Sequence, residues 1–197
     1  LSQGLSDEDG VLAVKAAREA MEAHVERREP EVELTPHFQR KGGAFVTIHD
    51  HPRNTLRGCI GFPEPMFTLG ESILRAGAAV CEDPRFPPLK REETDTVIVE
   101  VSVLSVPEPI EAMPEELPAA IEIGRDGLIL EKGHARGLLL PQVPVEWGWD
   151  AEEYLRNLSR KAGLDPEGWR NATIHRFQSA IFTELEPRGD IVRRGGH

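Results

Sequence analysis

Cysteine is scarce: Cys59 and Cys81 are the only two in 197 residues. Two thiols exclude a disulfide-rich scaffold and a four-cysteine zinc site. Reduced thiols and a cytoplasmic location are the simplest expectation. Asn and Gln together number seven, beside abundant Glu, Arg and Pro, a balance that leans towards heat tolerance. No apolar run approaches the roughly 18–20 residues of a membrane span, and no signal-peptide core lies near Leu1, so no membrane association is expected. The chain opens on Leu1 rather than Met, as a trimmed or altered start would leave it. Positive charge is also short, since 23 Lys and Arg face 34 Asp and Glu for a formal net charge of −11. Neutralising phosphates needs a surplus of cations, so general binding to nucleic-acid backbones is not expected, although a local basic cleft is allowed. P-loop, GxGxxG, HExxH and GxSxG motifs are all missing, which speaks against nucleotide-driven motors, Rossmann oxidoreductases, zincins and common esterases. There is no internal repeat.

What is present has a globular balance, with 39% hydrophobic and 29% charged residues. The length suits one large domain, or one domain carrying a small lobe. Ser6 precedes Asp7, Glu8 and Asp9 and is the expected N-cap of a helix whose apolar face is Val11, Val14, Ala17, Met21 and Val25, ending near Glu29-Pro30. After Gly42-Gly43, Ala44 to Ile48 reads as a strand, and the polar turn 49–54 leads into a second extended piece from Thr55 to Ile60. Thr68 and Glu71 form a capping box for a second helix that stops before Pro84. Thr96 to Leu104 alternates cleanly, Val97, Val99, Val101 and Val103 on one face and Ile98, Glu100, Ser102 and Leu104 on the other. Pro107 to Pro118 is a connection unsuited to a central strand. Leu128–Glu131 and Gly137–Leu140 flank Gly133-His134 as a hairpin. Asp150 and Glu153 cap a third helix with Tyr154, Leu155, Leu158 and Ala162 inward and Gly163 as its stop. One last strand is expected from Thr173 to Leu185. The fold class is α+β with a mainly antiparallel sheet.

Leu56-Arg57-Gly58-Cys59-Ile60-Gly61 is the most suggestive segment. A thiol between glycines sits where a ligand or another chain can approach the backbone closely. Arg57 can favour a thiolate or grip a carboxylate or phosphate with its planar fork. His49 and His51 can return beside Cys59 across the hairpin, giving a nucleophile with its base. The bland alternative is a small buried thiol and glycines that serve a bulge. The same histidines with Cys59 or Asp50 can be read as metal ligands, but no second ligand cluster appears and no metal or other cofactor is expected. In Glu82-Asp83-Pro84-Arg85-Phe86-Pro87-Pro88-Leu89, Asp83 and Arg85 can pair to shape a pocket, while Phe86 anchors a rigid loop. Glu146-Trp147-Gly148-Trp149-Asp150 is a helix start packed by two indoles, or places Glu146 as an acid/base in an apolar cleft. Gly58-x-x-Gly61 matches the loop of an RNA-binding KH module without its basic, helical setting.

These segments, with Val101-Ser102-Val103-Leu104-Ser105, Leu140-Pro141-Gln142-Val143 and Phe182-Thr183-Glu184, occur in an order that resembles the AMME syndrome candidate gene protein family, the AMMECR domain, across nearly the whole chain. Archaeal members are the most similar. The resemblance implies a single AMMECR-type domain over residues 1–197, two-lobed, with the larger lobe built on an antiparallel sheet flanked by helices and a smaller second lobe. It implies a functional site at LRGCIG without naming a substrate, and by association it implies Memo-like or radical-SAM proteins as functional partners. Carried over by residue, the site is Arg57, Gly58, Cys59 and Gly61, then Asp83, Arg85 and Phe86, with Glu146 and Asp150 behind them. The family pattern requires neither His49 nor His51, which weighs against the dyad and the metal. Cys81 lies outside it and reads as core. Two functions stay open: a cysteine-dependent enzyme acting on a small molecule or on a nucleotide or RNA modification substrate, with Cys59 as nucleophile, Arg57 orienting an anion and Glu146 moving protons; or a non-catalytic module binding a ligand or partner on the same surface.

Overall fold

The structure is a computed structural model that describes residues 5–194; the expected start at Leu1 lies outside them. The chain divides into two compact units, the first from residues up to Leu104 together with Ala180 onward, the second from Ser105 to Ser179. Both are helix-flanked antiparallel sheets, the α+β class that strand pairs interleaved with capped helices predict.

In the first unit, α1 (Asp7–Glu26) begins where Ser6 accepts a hydrogen bond from the Asp9 amide at 3.0 Å, and it ends at Arg27 in the left-handed region. Next come β1 (Ala44–Asp50) and β2 (Thr55–Phe62), then α2 (Leu69–Ala79), held at its start by the reciprocal Thr68–Glu71 capping box. A 3-10 turn, Val80–Glu82, and a second at Arg91–Asp95 lead into β3 (Val97–Leu104). With β8 (Ser179–Glu184) and β9 (Ile191–Arg194), these strands form a five-stranded sheet of order β2-β1-β3-β8-β9. Val46, Ile48, Val99, Val101 and Phe182 bury one face of it in a core shared with Ala13, Ala17, Met21, Ile73 and Ala76 of the two helices. Burial of that face is the main stabilising term, at about 1.5–3 kcal/mol for each large side chain.

The second unit holds β4 (Glu108–Pro109), β5 (Gly127–Lys132), β6 (Ala135–Leu139), α3 (Gln142–Trp147), α4 (Ala151–Lys161) and β7 (Thr173–Phe177). Its sheet order is β4-β7-β5-β6. Leu128, Leu130, Tyr154, Leu155, Leu158, Trp169 and Ile174 make its core, and the Tyr154 hydroxyl donates to the Leu139 carbonyl at 3.0 Å. The proline-rich connection enters only the edge strand β4, as a missing amide donor demands.

One expectation fails. The strand expected from Thr173 to Leu185 is two strands in two different sheets, β7 and β8. Its apolar pattern runs through, but Gln178 is taken out of both ladders: its amide donates to Ser105 Oγ and its carbonyl accepts from the Ser105 amide, both at 2.8 Å.

The first unit is tied by one buried ion pair. Arg18 on α1 donates through Nε and Nη2 to both oxygens of Glu184 on β8 at 2.5 Å, and to the Val97 and Thr94 carbonyls. Glu184 also accepts from the Val99 amide at 2.9 Å. Removing one partner leaves the other charged and unpaired, so Arg18→Met is expected to lower stability by about 3–5 kcal/mol in urea unfolding. The double variant Arg18→Met/Glu184→Leu should recover part of that loss, whereas simple additivity of the two changes would mean the pair is not coupled.

Candidate functional site

The site is built on β2, an edge of the first sheet. Cys59 stands opposite Thr47 of β1, and Thr47 in turn opposite Glu100 of β3. Both outward peptide groups of Cys59 are covered by side chains. Its amide donates to Asp83 Oδ2 at 2.9 Å, and its carbonyl accepts from Arg85 Nη2 at 3.2 Å. Because those groups face away from β1, Cys59 and Thr47 form a non-hydrogen-bonded pair, in which side chains come closest. The Thr47 hydroxyl accordingly donates to Cys59 Sγ at 3.3 Å. The thiol is half-buried.

Asp83 follows the 3-10 turn after α2 and is 2% exposed. It also accepts the Arg85 amide and Nε at 3.0 Å and Nη2 at 2.7 Å. The Arg85 hydrogen bonds, working against burial, hold the Asp83 carboxyl well below its ordinary value, with the Cys59 amide adding to the effect. Arg85 is raised by the same contact. Its side chain is 56% exposed, so the cation of this pair reaches solvent beside the thiol.

Arg57 is the extra residue of a β-bulge, since Gly58 pairs with Ile48 while Leu56 pairs with His49. Its fork is filled from within: Nε and Nη2 donate to the two Glu93 oxygens at 2.9 and 3.2 Å, and Nη2 also donates to the Pro87 carbonyl at 2.9 Å. Burial pushes the Glu93 carboxyl up, but Arg57 and the Lys90 amide outweigh it and leave the carboxyl low. Phe86 lies within 6.0 Å of the Arg57 guanidinium and 5.6 Å of that of Arg85. The two glycines are close approaches. A Cβ at Gly58 would sit 3.0 Å from the Val80 carbonyl oxygen, and one at Gly61 only 2.2 Å from the Phe45 ring.

The bulge also decides which side chain meets the thiol. It shifts the register by one, so that Thr47 rather than Val46 stands opposite the sulfur, while His49 pairs with Leu56 and His51 lies exposed in the turn. Among the described residues no group of three His, Cys, Asp or Glu is placed to hold a metal ion. Cys81 is core: burial pushes its thiol up to about 12, and its Sγ lies 3.5 Å from the Met21 carbonyl. Glu146 and Asp150 belong to the second unit. Glu146 is exposed on α3 beside the stacked pair Trp147–Trp149, and Asp150 spends its side chain as the N-cap of α4, accepting from the Glu153 amide at 2.9 Å. A cleft of about 270 Å³ in that unit, lined by Ile110, Leu117, Trp169, Arg170 and Ile174 among others, contains none of the expected site residues.

Glu100 was not among the expected residues. The signal for it was present: a lone carboxylate in the middle of a strand whose only other polar residue is Ser102, 8% exposed here, is costly unless it is paired.

Comparison with known proteins decides the family. The profile of the AMMECR1 family matches residues 14–182. The chain belongs to the AMMECR1 family. It is 49% identical to a protein of Thermofilum pendens over 96% of both chains, and 48% identical to a Methanocaldococcus jannaschii protein covering 96% of this chain and 97% of that one. The crystal structure of the uncharacterised protein PH0010 from Pyrococcus horikoshii is similar with a TM-score of 0.82 and 48% identity, covering 96% of this chain and 98% of that one. No helix among the described residues of this AMMECR1-family chain is long and apolar enough to cross a membrane.

The Asp83 clamp has a pH signature. A lowered carboxyl contributes stability that is fully present above its ordinary value of 3.8 and is lost as pH falls through the folded value. Asp83→Asn should therefore be less stable than the wild type at pH 7, by about 1–3 kcal/mol for the charge-assisted acceptor it removes. The gap should narrow as urea unfolding is repeated below pH 4, and a gap constant down to pH 2 would contradict this account.

Proposed function

We propose that this AMMECR1-family protein is a cysteine-dependent enzyme in which the Cys59 thiol attacks a small electrophilic substrate bearing an anionic group. The observation that carries the reading is the treatment of Cys59 itself. Its backbone is gripped at both amide and carbonyl by the Asp83–Arg85 pair, and its sulfur stays half-buried under a donating Thr47 hydroxyl. A thiol that only fills volume, such as Cys81, needs none of this. Rigid placement of a nucleophile on a strand, with its side chain held by neighbours, is what covalent catalysis requires.

The roles follow from the contacts. Arg85, exposed beside the sulfur, takes the anionic part of the substrate in place of Arg57, whose fork serves Glu93. Gly58 and Gly61 let Val80 and Phe45 pack closely against the strand. Phe86 supports both guanidinium groups. The chain's net charge of −11 favours a small molecule or a single nucleotide over an extended nucleic acid. In the step itself, a sulfur–carbon bond forms, the bond from that carbon to the leaving group breaks, and the thiol proton leaves with the leaving group.

Iodoacetamide labelling of the native protein, with the labelled cysteine located by peptide mapping, tests this. Cys59 should be modified rapidly and Cys81 only after unfolding. Cys59→Ser should stay within about 0.5 kcal/mol of wild-type stability while losing all native-state labelling. If Cys59 proved as protected as Cys81, the thiol would be structural and the surface a non-catalytic binding module.

A further inference from the structure

On the face of the first sheet that carries Cys59, two buried polar atoms have no hydrogen-bond partner among the described residues: His49 Nδ1 and Glu100 Oε2. They are neighbours. Glu100 stands opposite Thr47, and His49 is two residues along the same strand, on the same face of the sheet. Glu100 Oε2 lies 3.1 Å from Arg194 Nη1 of β9, an ion-pair distance without the alignment of a hydrogen bond. Buried polar atoms are ordinarily paired, so a carboxylate oxygen with only an unaligned guanidinium beside it and an imidazole nitrogen with no partner point to a polar group between them. Cys59, Thr47 and Glu100 form one row across three strands, and His49 lies diagonal to Cys59 across the bulge, a relation that in a regular ladder separates neighbours by about 7–8 Å.

We propose that Glu100 and His49 are the proton-handling pair of the Cys59 site, His49 acting as the base through one bridging water or substrate atom and Glu100 positioning it. The proposal rests on the reading of Cys59 as a nucleophile. In acyl transfer, the thiol proton passes to neutral imidazole as the sulfur–carbon bond forms, the carbonyl carbon releases its leaving group, and imidazolium returns the proton to that group or to solvent. No electrons change hands and no co-reactant is needed. The charged groups facing His49 are Glu100 from β3, Arg194 from β9 and Asp50 on its own strand. Burial, the largest influence, lowers the imidazole below its ordinary 6.5 and keeps it neutral at pH 7, as a base must be.

The test uses p-nitrophenyl acetate as the acyl probe on the whole chain, reading the burst of nitrophenolate against pH. Wild type should give a burst that Cys59→Ser lacks. His49→Ala should slow the burst by about 10²-fold, and added imidazole should restore part of the rate. Glu100→Gln should also slow it, although removing a negative charge near a thiol would by itself speed the reaction. Glu100→Asp, which keeps the carboxylate, should retain more of the rate than Glu100→Gln and replaces it should that variant fail to fold, and then a burst in Glu100→Asp faster than wild type overturns the proposal. No Cys59-dependent burst in wild type sinks the nucleophile reading and this inference with it. A wild-type burst with His49→Ala unchanged, or slow without imidazole rescue, or with Glu100→Gln faster than wild type, overturns the inference and leaves the nucleophile standing.

Discussion

The candidate site depends on a single buried carboxylate. An edge strand leaves its outward amides and carbonyls open to any extended chain that meets them. At Cys59 that opening is closed by Asp83, which takes the amide, and by Arg85, which Asp83 aims at the carbonyl. Two side chains thus supply what a neighbouring strand would otherwise supply, at one residue only. Side chains stand perpendicular to the sheet, so covering the strand's edge leaves the sulfur's face untouched. The DPRF segment is thus the lid on the edge of the LRGCIG strand.

Two carboxylates on the same sheet show how differently a buried charge can be treated. Glu184 has both oxygens engaged by Arg18 and one of them also by the Val99 amide. Such a satisfied group stiffens the packing of α1 on the sheet and has nothing left to offer a ligand. Glu100, one strand away from β8, has an ion-pair neighbour but an oxygen without an aligned donor. A fold that provides Glu184 with a full set of donors has no steric reason to leave Glu100 short. The contrast within one sheet, rather than the orphan atom alone, is what supports the role proposed for Glu100.

Local signals were legible in the sequence because they act over three or four residues. Ser6, Thr68 and Asp150 each announce a helix start and each accepts the amide expected of it. The alternation of Val97 to Val103 names the buried face of β3 without ambiguity. Signals that act across the fold were not legible. Gln178 splits an apolar run into two sheets through Ser105, 73 residues earlier. The Arg57 fork is filled by Glu93, 36 residues on, so a residue that reads as an anion gripper is an internal brace. A one-residue bulge exchanges Val46 for Thr47 opposite the thiol, and a bulge of that kind has no reliable mark in the sequence. Glu100 was visible only as one polar residue in an alternating strand, where a solvated position is the ordinary assumption.

The charges around Cys59 are arranged with a direction. Towards the free edge of β2 lies the exposed guanidinium of Arg85; towards the middle of the sheet, behind Thr47, lies the buried carboxylate of Glu100. A substrate seated on the proposed site meets opposite potentials on its two sides. Its anionic group is drawn to the edge, where water still reaches it and screening is strongest. Its reacting carbon, and any proton in transit, lie over the drier half, where charge interactions are least screened. Exchanging the two positions would bury the cation and place the carboxylate in solvent beside the thiol, repelling an anionic substrate and taking the carboxylate away from His49, the proposed base. The order edge cation, thiol, hydroxyl, buried carboxylate is therefore the one that the proposed attack on an anionic electrophile calls for; the register of β2, β1 and β3 sets its last three members, and Asp83 sets the first by aiming Arg85.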